Sequence, residues 1–343
     1  MMMMRTLVSI LLLSATNILV YSWTAHQSHL HGGYTGNAPR TSDFSGQPFI
    51  FNGTVTILDK GENHVVVSKP PAVLCHRSGW SGGSKSSKTK SLPEIPMLQR
   101  AREAVGERVN LIHRLDRGAS GCLLMSLAKA DQDDGNTTAI LQENMSLSTS
   151  HKTYIALVRG EGILKERTFK NEGWFEVDKP VKNERGNLKN ATSYFRFIAG
   201  QGNENGLQDR PRASLVLARI KTGRWHQIRL HLRSLSHPII GDSTHGNSKT
   251  NREWKQKWGL QPERTCLHLL KLELSPTSVT PNGICVSDAL PRDMMDMLQK
   301  HFSPEFWDEA ESALKEEGLS LTPEGNPNNV AVNIGMTECP DYK

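Results

Sequence analysis

The segment HRLDRGASGCLLM, residues 113–125, holds the strongest chemical pattern of the chain. It places the carboxylate of Asp116 between the guanidinium groups of Arg114 and Arg117. Nearby positive charge favours the ionised form of a carboxylate, which suits an acid that works beside a polyanion. Taken alone, however, the segment indicates a surface turn, in which one acid balances two arginines, more strongly than an active site.

The same segment predicts a turn that leads into a buried strand. Gly118 and Gly121 allow the backbone to turn tightly and to approach a ligand closely. The apolar run at residues 122–127 is typical of a strand buried on both faces. We therefore expect Asp116 to lie in a loop at the start of a core strand.

The composition is that of a globular protein with a basic balance. The chain has 343 residues, of which 37% are apolar, and 41 Lys and Arg against 35 Asp and Glu give a net charge of +6. Such an excess suits a polyanionic partner without proving one. The five cysteines are odd in number and have no C-x-x-C spacing, so neither a zinc site nor a disulfide framework is indicated.

The first 48 residues are interpreted as a targeting presequence. Arg5 precedes an apolar segment at residues 7–20, and the following stretch is rich in Ser, Thr and Gly with Asp43 as its one acid. This pattern resembles a bipartite presequence for a plastid or a mitochondrial presequence. A secretory-type signal is the alternative. No other segment is apolar and long enough to span a bilayer, so we expect no stable membrane association in the mature form.

Periodicity along the rest of the chain favours an α+β fold with a mainly antiparallel sheet, because strands outnumber helices and do not alternate regularly with them. The chain beyond residue 316 is polar and rich in Pro and Asn, and we expect a disordered tail at 316–343. Strands are expected at 55–58, 64–68, 122–127, 152–158, 191–198, 213–220 and 267–274, and helices at 93–106, 137–145 and 293–302.

A second segment, GRWHQIRLHLRSL at residues 223–235, predicts an amphipathic helix, since apolar residues recur in it at helical spacing. A histidine and two arginines share another face of that helix. These residues are His226, Arg229 and Arg233. An ordinary helix with a solvated basic face explains this pattern equally well.

Read together, four motifs resemble the RluA-type pseudouridine synthases. They are HVVVSKPPAVLCHRSGW (64–80), HRLDRGASGCLLMSLA (113–128), KTYIALVRG (152–160) and GRWHQIRLHLRSLSHPIIGDSTHG (223–246). The resemblance covers residues 52–300 and is greatest to the tRNA pseudouridine synthase C subgroup. It implies a mixed, mainly antiparallel central sheet in two halves with an active cleft between them. It also implies a catalytic domain at 49–315 without an S4 RNA-binding domain.

The resemblance also implies roles for individual residues. Asp116 matches the catalytic aspartate of the H-R-L-D motif, Tyr154 the active-site tyrosine, and Arg229 the arginine that pairs with the aspartate. Arg114 matches an arginine that helps to extrude the target base. Other cationic or polar residues near these motifs are expected to contact RNA. They are Arg117, Arg224, His226 and Arg233.

The implied reaction isomerises uridine to pseudouridine after the base has been flipped out, and it needs no cofactor and no metal because all atoms are conserved. We expect a monomer that acts on tRNA, with ribosomal RNA as the alternative substrate. An RNA-binding protein that has lost catalysis is a further alternative. Two positions depart from the family pattern, Ala119 in place of threonine and Trp225 in place of a smaller or polar residue.

Overall fold

The computed structural model describes residues 51–77, 94–128, 136–202, 210–322 and 330–336. The expected presequence at 1–48 lies outside these ranges. None of the described helices is both long and apolar enough to cross a lipid bilayer.

The strands are numbered β1 to β15 and the α-helices α1 to α6 in chain order. The strands are β1 Phe51–Lys60, β2 His64–Lys69, β3 Arg108–Leu111, β4 Ser120–Ala128, β5 His151–Arg159, β6 Ile163–Leu164, β7 Arg167–Thr168, β8 Phe175–Asp178, β9 Val181–Lys182, β10 Leu188–Lys189, β11 Thr192–Gln201, β12 Ala213–Ile220, β13 Leu267–Leu274, β14 Ile284–Ser287 and β15 Val330–Met336. The helices are α1 Met97–Val105, α2 Asn136–Asn144, α3 Gln227–Ser234, α4 Ser248–Lys257, α5 Arg292–His301 and α6 Pro304–Glu316, with a 3₁₀ turn at Phe169–Asn171.

Among the described residues, eleven strands form one mixed sheet in the order β15-β1-β2-β4-β13-β5-β12-β11-β8, with β3 on β4 and β14 on β13. Every pairing in it is antiparallel except that of β4 with β13. That parallel junction is short, with His268 opposite Ser120 and Leu269 opposite Gly121. It joins the two halves of the sheet, and the mixed, mainly antiparallel arrangement confirms the predicted α+β class.

The strands nearest this junction are also the most buried. All nine residues of β4 are buried, and so are six consecutive residues in the middle of β5. Apolar side chains on both faces of these strands contribute to the hydrophobic core. Burial on both faces explains why β4 reads as a continuous apolar run rather than as an alternating one.

Glycine serves this junction in a way that differs from the sequence expectation. Gly121 has φ +121°, and a Cβ built on it would lie 2.4 Å from the backbone N and O of Leu269. A Cβ on Gly118 would lie 2.6 Å from Oγ1 of Thr265. The expected close approach to a ligand is therefore corrected: both glycines approach another segment of the same chain, where the two halves of the sheet meet.

The C-terminal prediction is wrong for residues 330–336. These residues form β15, which pairs with β1 and covers what would otherwise be an unpaired strand edge. Ile334 is buried, Val332 is partly buried, and Asn333 between them is exposed and accepts a hydrogen bond from Thr54. This alternation is a strand pattern, which the polar composition of the surrounding sequence conceals.

The helix predicted at 293–302 is present as α5, but it does not end the fold. Helix α6 follows it, with the Ser303 side chain accepting the N–H of Phe306 and Pro304 in its first turn. Its buried residues, Phe306, Ala310, Ala313 and Leu314, have the spacing of one helical face.

We predict that Gly121→Ala destabilises the protein by about 3 kcal/mol or more, because it adds a clash with Leu269 to an unfavourable backbone conformation. Denaturant unfolding followed by circular dichroism measures the loss. Gly186→Ala is the matched control, since Gly186 has φ +80° but a Cβ added to it would meet no atom within 4 Å. We expect about 1 kcal/mol for it, and equal losses in the two variants would contradict the prediction.

Candidate active site

One cleft of about 970 Å³ is lined by all three residues that were predicted to be catalytic. Asp116 lies in the loop between β3 and β4, Tyr154 on β5 and Arg229 on α3. Asp116 and Arg229 are 113 residues apart in sequence. The fold therefore brings into one cavity side chains that the sequence keeps far apart.

The loop that carries Asp116 is fixed by hydrogen bonds from a buried lysine. The Nζ of Lys69 donates to the carbonyl oxygens of Ala119 at 2.7 Å, Pro70 at 2.9 Å and Arg117 at 3.1 Å. Burial lowers the pKa of Lys69 to about 8. Ala119 is itself buried, and its backbone N–H donates to the Asp116 carbonyl to close the turn. Lys69, which precedes Pro70 in the first of the four motifs, thus fixes the position of the loop.

Arg229 links two carboxylates at the bottom of the cleft. Its Nη1 donates to Oδ2 of Asp116 at 2.7 Å, while its Nε and Nη2 donate to the two oxygens of Asp242, each at 2.7 Å. The guanidinium is buried, which would lower its pKa, but its bonds with the two carboxylates raise that pKa. The expected pair between Arg229 and Asp116 is present, and a second carboxylate supports it.

Asp242 is a candidate functional residue that was not predicted from the sequence. It is 1% exposed, and its Oδ1 also accepts the backbone N–H groups of Thr244 and His245. Burial opposes its charge, but the hydrogen bonds from Arg229 and from these backbone groups hold its pKa below the ordinary value. The signal was available, because an acid directly after the apolar run Pro-Ile-Ile-Gly must find a partner in the interior.

Tyr154 presents a protonated phenol to the same cleft. The residue is 7% exposed and lies in the middle of β5. Burial, reinforced by the nearby charge of Asp116, raises the pKa of its hydroxyl above the ordinary value. At neutral pH the side chain can therefore offer a ring for stacking and a proton for donation.

His226 lies beside Asp116 and lines the same cleft, and its expected contact with RNA stays a prediction. Its Nε2 is 3.6 Å from Oδ1 of Asp116, and its Nδ1 is 2.8 Å from Nε2 of His245. Burial lowers the pKa of His226 to about 4, so the imidazole is neutral at neutral pH. If His245 donates to Nδ1, the proton on Nε2 faces the carboxylate, and we assign this tautomer because it satisfies the acceptor.

The expectation that His226, Arg229 and Arg233 share one face of a helix is corrected. His226 precedes α3 and has φ 52°, which turns it away from the helical path. Arg229 points inward because Asp242 draws its guanidinium into the interior, and only Arg233 is exposed. The helix thus has a charged group in the protein interior, not a uniform basic surface.

The remaining predicted RNA contacts fall into two groups. Arg114 and Arg224 are exposed and line the cleft, and Arg224 also donates to the Asn190 carbonyl. Arg117 and Arg233 do not line it. Arg117 instead forms ion pairs with Glu94 at 3.1 Å and Glu263 at 3.2 Å. The contacts of these arginines with RNA stay predictions.

The cleft holds side chains suited to nucleophilic and acid–base chemistry. It combines an oriented carboxylate, a protonated phenol and a neutral imidazole, the groups used in nucleophilic and acid–base catalysis. Within the described ranges, no group of three or more His, Cys, Asp and Glu side chains is placed to bind a metal ion.

Comparison with known proteins gives consistent results. Residues 63–234 match the family model described as RNA pseudouridylate synthase. The protein named tRNA pseudouridine synthase C from Yersinia pestis is 32% identical over 223 residues, which is 64% of this chain and 80% of the relative. The protein of the same name from Vibrio cholerae serotype O1 is 33% identical over 224 residues, covering 63% and 83%.

A solved structure supports the fold. The protein named human RNA pseudouridylate synthase domain containing 1 matches with a TM-score of 0.50 and 21% sequence identity. The match covers 71% of this chain and 87% of that chain.

Proposed function

This chain belongs to the RNA pseudouridylate synthase family and is an RNA pseudouridine synthase, and we propose that it isomerises uridine in tRNA. The tRNA substrate is supported by the relatives named tRNA pseudouridine synthase C, which are 32% and 33% identical to it. The observation that carries the proposal is the carboxylate of Asp116, fixed by Arg229 at the bottom of a cleft that Tyr154 also lines.

In the proposed reaction, the C1′–N1 bond of uridine breaks and a C1′–C5 bond forms, while one proton leaves C5 and one is gained at N1. Atoms and electrons balance, so no oxidant or reductant is needed. Asp116 supplies the anion, as a nucleophile at the sugar or as a base. Arg229 fixes the direction of its carboxylate, since a guanidinium stays charged and hydrogen-bonds with defined geometry.

The target uracil must leave its stack before Asp116 can reach it, at a cost of a few kcal/mol. Tyr154 offers a ring against which the flipped base can lie, and its protonated hydroxyl is available for proton transfer. Arg114, exposed at the cleft, is placed to occupy the vacated space. The resemblance to the family implies these roles, and the positions of both residues on the cleft are compatible with them.

We predict that the purified protein forms pseudouridine in unmodified tRNA transcripts and that Asp116→Asn lowers the rate by about a thousand-fold or more. Chemical modification followed by primer extension maps the product, with ribosomal RNA assayed in parallel. Filter binding of tRNA to the variant controls for folding. Product only in ribosomal RNA would change the substrate, release of free uracil would indicate a hydrolase, and RNA binding without product would indicate a binding protein.

We predict that Asp242→Asn lowers kcat by about a hundred-fold with little change in KM, because Arg229 loses the anion that fixes its position. Single-turnover kinetics on the mapped tRNA measures the change. Asp59→Asn is the matched control, since Asp59 is paired with His64 at 2.8 Å and does not line the cleft. An unchanged kcat in Asp242→Asn would show that Asp116 alone positions Arg229.

We also propose that residues 1–48 direct the protein to a plastid or a mitochondrion, as their acid-poor, hydroxyl-rich composition suggests. A fluorescent protein fused after residue 50 should then accumulate in one of these organelles. Accumulation in the secretory pathway would contradict the proposal.

A further inference from the structure

Trp225 lies next to His226, at the edge of the group of residues around Asp116. Its indole stacks on the His226 imidazole, with ring centroids 3.7 Å apart and planes 21° from parallel. His245 meets the indole at 5.8 Å in an edge-on arrangement. Trp225 is partly buried and lines the same cleft as Asp116. One face of the indole is therefore used within the protein.

The other face of the indole is the feature that needs an explanation. Across the part of the chain that the structure describes, His226 and His245 are the only rings in contact with Trp225, and no cation lies over it. Trp225 is partly exposed where it lines the cleft, and exposed aromatic surface is unfavourable in water unless a partner covers it. Arg114 and Arg224, which line the same cleft, are suited to phosphate groups, so the cover is expected to belong to a nucleic acid.

The position of Trp225 relative to Asp116 indicates which part of a nucleic acid would cover the indole. The indole contacts His226, and His226 Nε2 is 3.6 Å from Asp116, where the flipped uridine must bind. A group lying on the other indole face is thus separated from Asp116 by two stacked rings, the indole and the imidazole. In a nucleic acid, the base of an adjoining nucleotide occupies such a place.

We propose that the free face of Trp225 stacks on the base of a nucleotide that adjoins the flipped uridine, so that this enzyme prefers uridines next to an unpaired base. The proposal rests on the proposed function, because it needs a uridine in RNA at Asp116. Aromatic side chains bind unstacked bases in this manner, since every base has a π face. Trp225 is then a specificity-determining residue, and the preference comes from stacking rather than from base-edge hydrogen bonds.

A simpler role for Trp225 would be to hold the His226 ring in place, without any contact with RNA. The two roles predict different outcomes. A supporting role affects the chemical step on every substrate, whereas a stacking role disappears when the partner base is absent. Combining changes in the enzyme with changes in the RNA separates them, as in a double-mutant cycle.

The experiment uses the full-length enzyme and the tRNA whose modified position has been mapped, rebuilt with an abasic ribose on the 5′ or on the 3′ side of that uridine. Wild type, Trp225→Ala and Trp225→Phe are compared by kcat and KM. On intact tRNA we expect Trp225→Ala to lower kcat/KM about ten-fold, mainly through KM, and Trp225→Phe to retain most of the activity. Thermal unfolding checks that the variants are folded.

On one of the two abasic substrates, we expect wild type to lose about ten-fold and Trp225→Ala to lose nothing further. Losses that multiply on both abasic substrates would overturn the proposal and leave the supporting role. If Trp225→Ala does not fold, Trp225→Leu replaces it, because leucine keeps an apolar contact with His226 but offers no π face. Absence of pseudouridine with wild type would instead overturn the proposed function, and the two failures are therefore distinguishable.

Discussion

The bonds of the buried Arg229 guanidinium with Asp116 and Asp242 are the interaction on which the geometry of the proposed active site depends. A buried cation is costly unless it is paired and hydrogen-bonded, and Asp242 satisfies this condition with two bonds of 2.7 Å from the interior side. The remaining Nη1 is then free to bind Asp116. Asp116 is consequently fixed by a group whose own position is decided before any substrate arrives, which is the preorganisation that catalysis requires.

Buried cations also support the other side of the loop. Lys69 binds the carbonyls of Arg117 and Ala119 from below, and Arg264 donates to Ser120 at 2.9 Å in the next strand. These cations lie where β4 meets β13, the short parallel pairing between the two halves of the sheet. The junction between the two halves of the sheet therefore also fixes the position and orientation of the loop that bears Asp116.

Sequence reasoning succeeded where the signal is local. Strand β13 has the predicted bounds at 267–274, and the helix at 137–145 is present one residue earlier as α2. Contact between Asp116 and Arg229 was reached only through the resemblance, because no local pattern reports a pair so distant along the chain. The pairing of Asp242 with Arg229 leaves no local pattern either, because the two residues are thirteen positions apart and on different elements.

The C-terminal strand shows a different limit of sequence reasoning. Its apolar alternation spans only a few residues in a polar region, and β1 supplies most of what makes it a strand. Local composition therefore predicted disorder where pairing with a distant edge provides order. The conformation of His226, with its positive φ before α3, was equally hidden, because a tertiary contact with His245 favours it.

The pairing of Arg229 with Asp116 and Asp242 also affects which part of a ligand can approach Asp116. Asp116, Arg229 and Asp242 together carry one net negative charge, and the neighbouring imidazoles of His226 and His245 add none at neutral pH because burial lowers the pKa of both. These three groups therefore offer phosphate no net positive charge, whereas the exposed Arg114 and Arg224, which line the cleft, attract it. The uncharged parts of a polyanion, a base and its sugar, are therefore the parts best suited to approach Asp116.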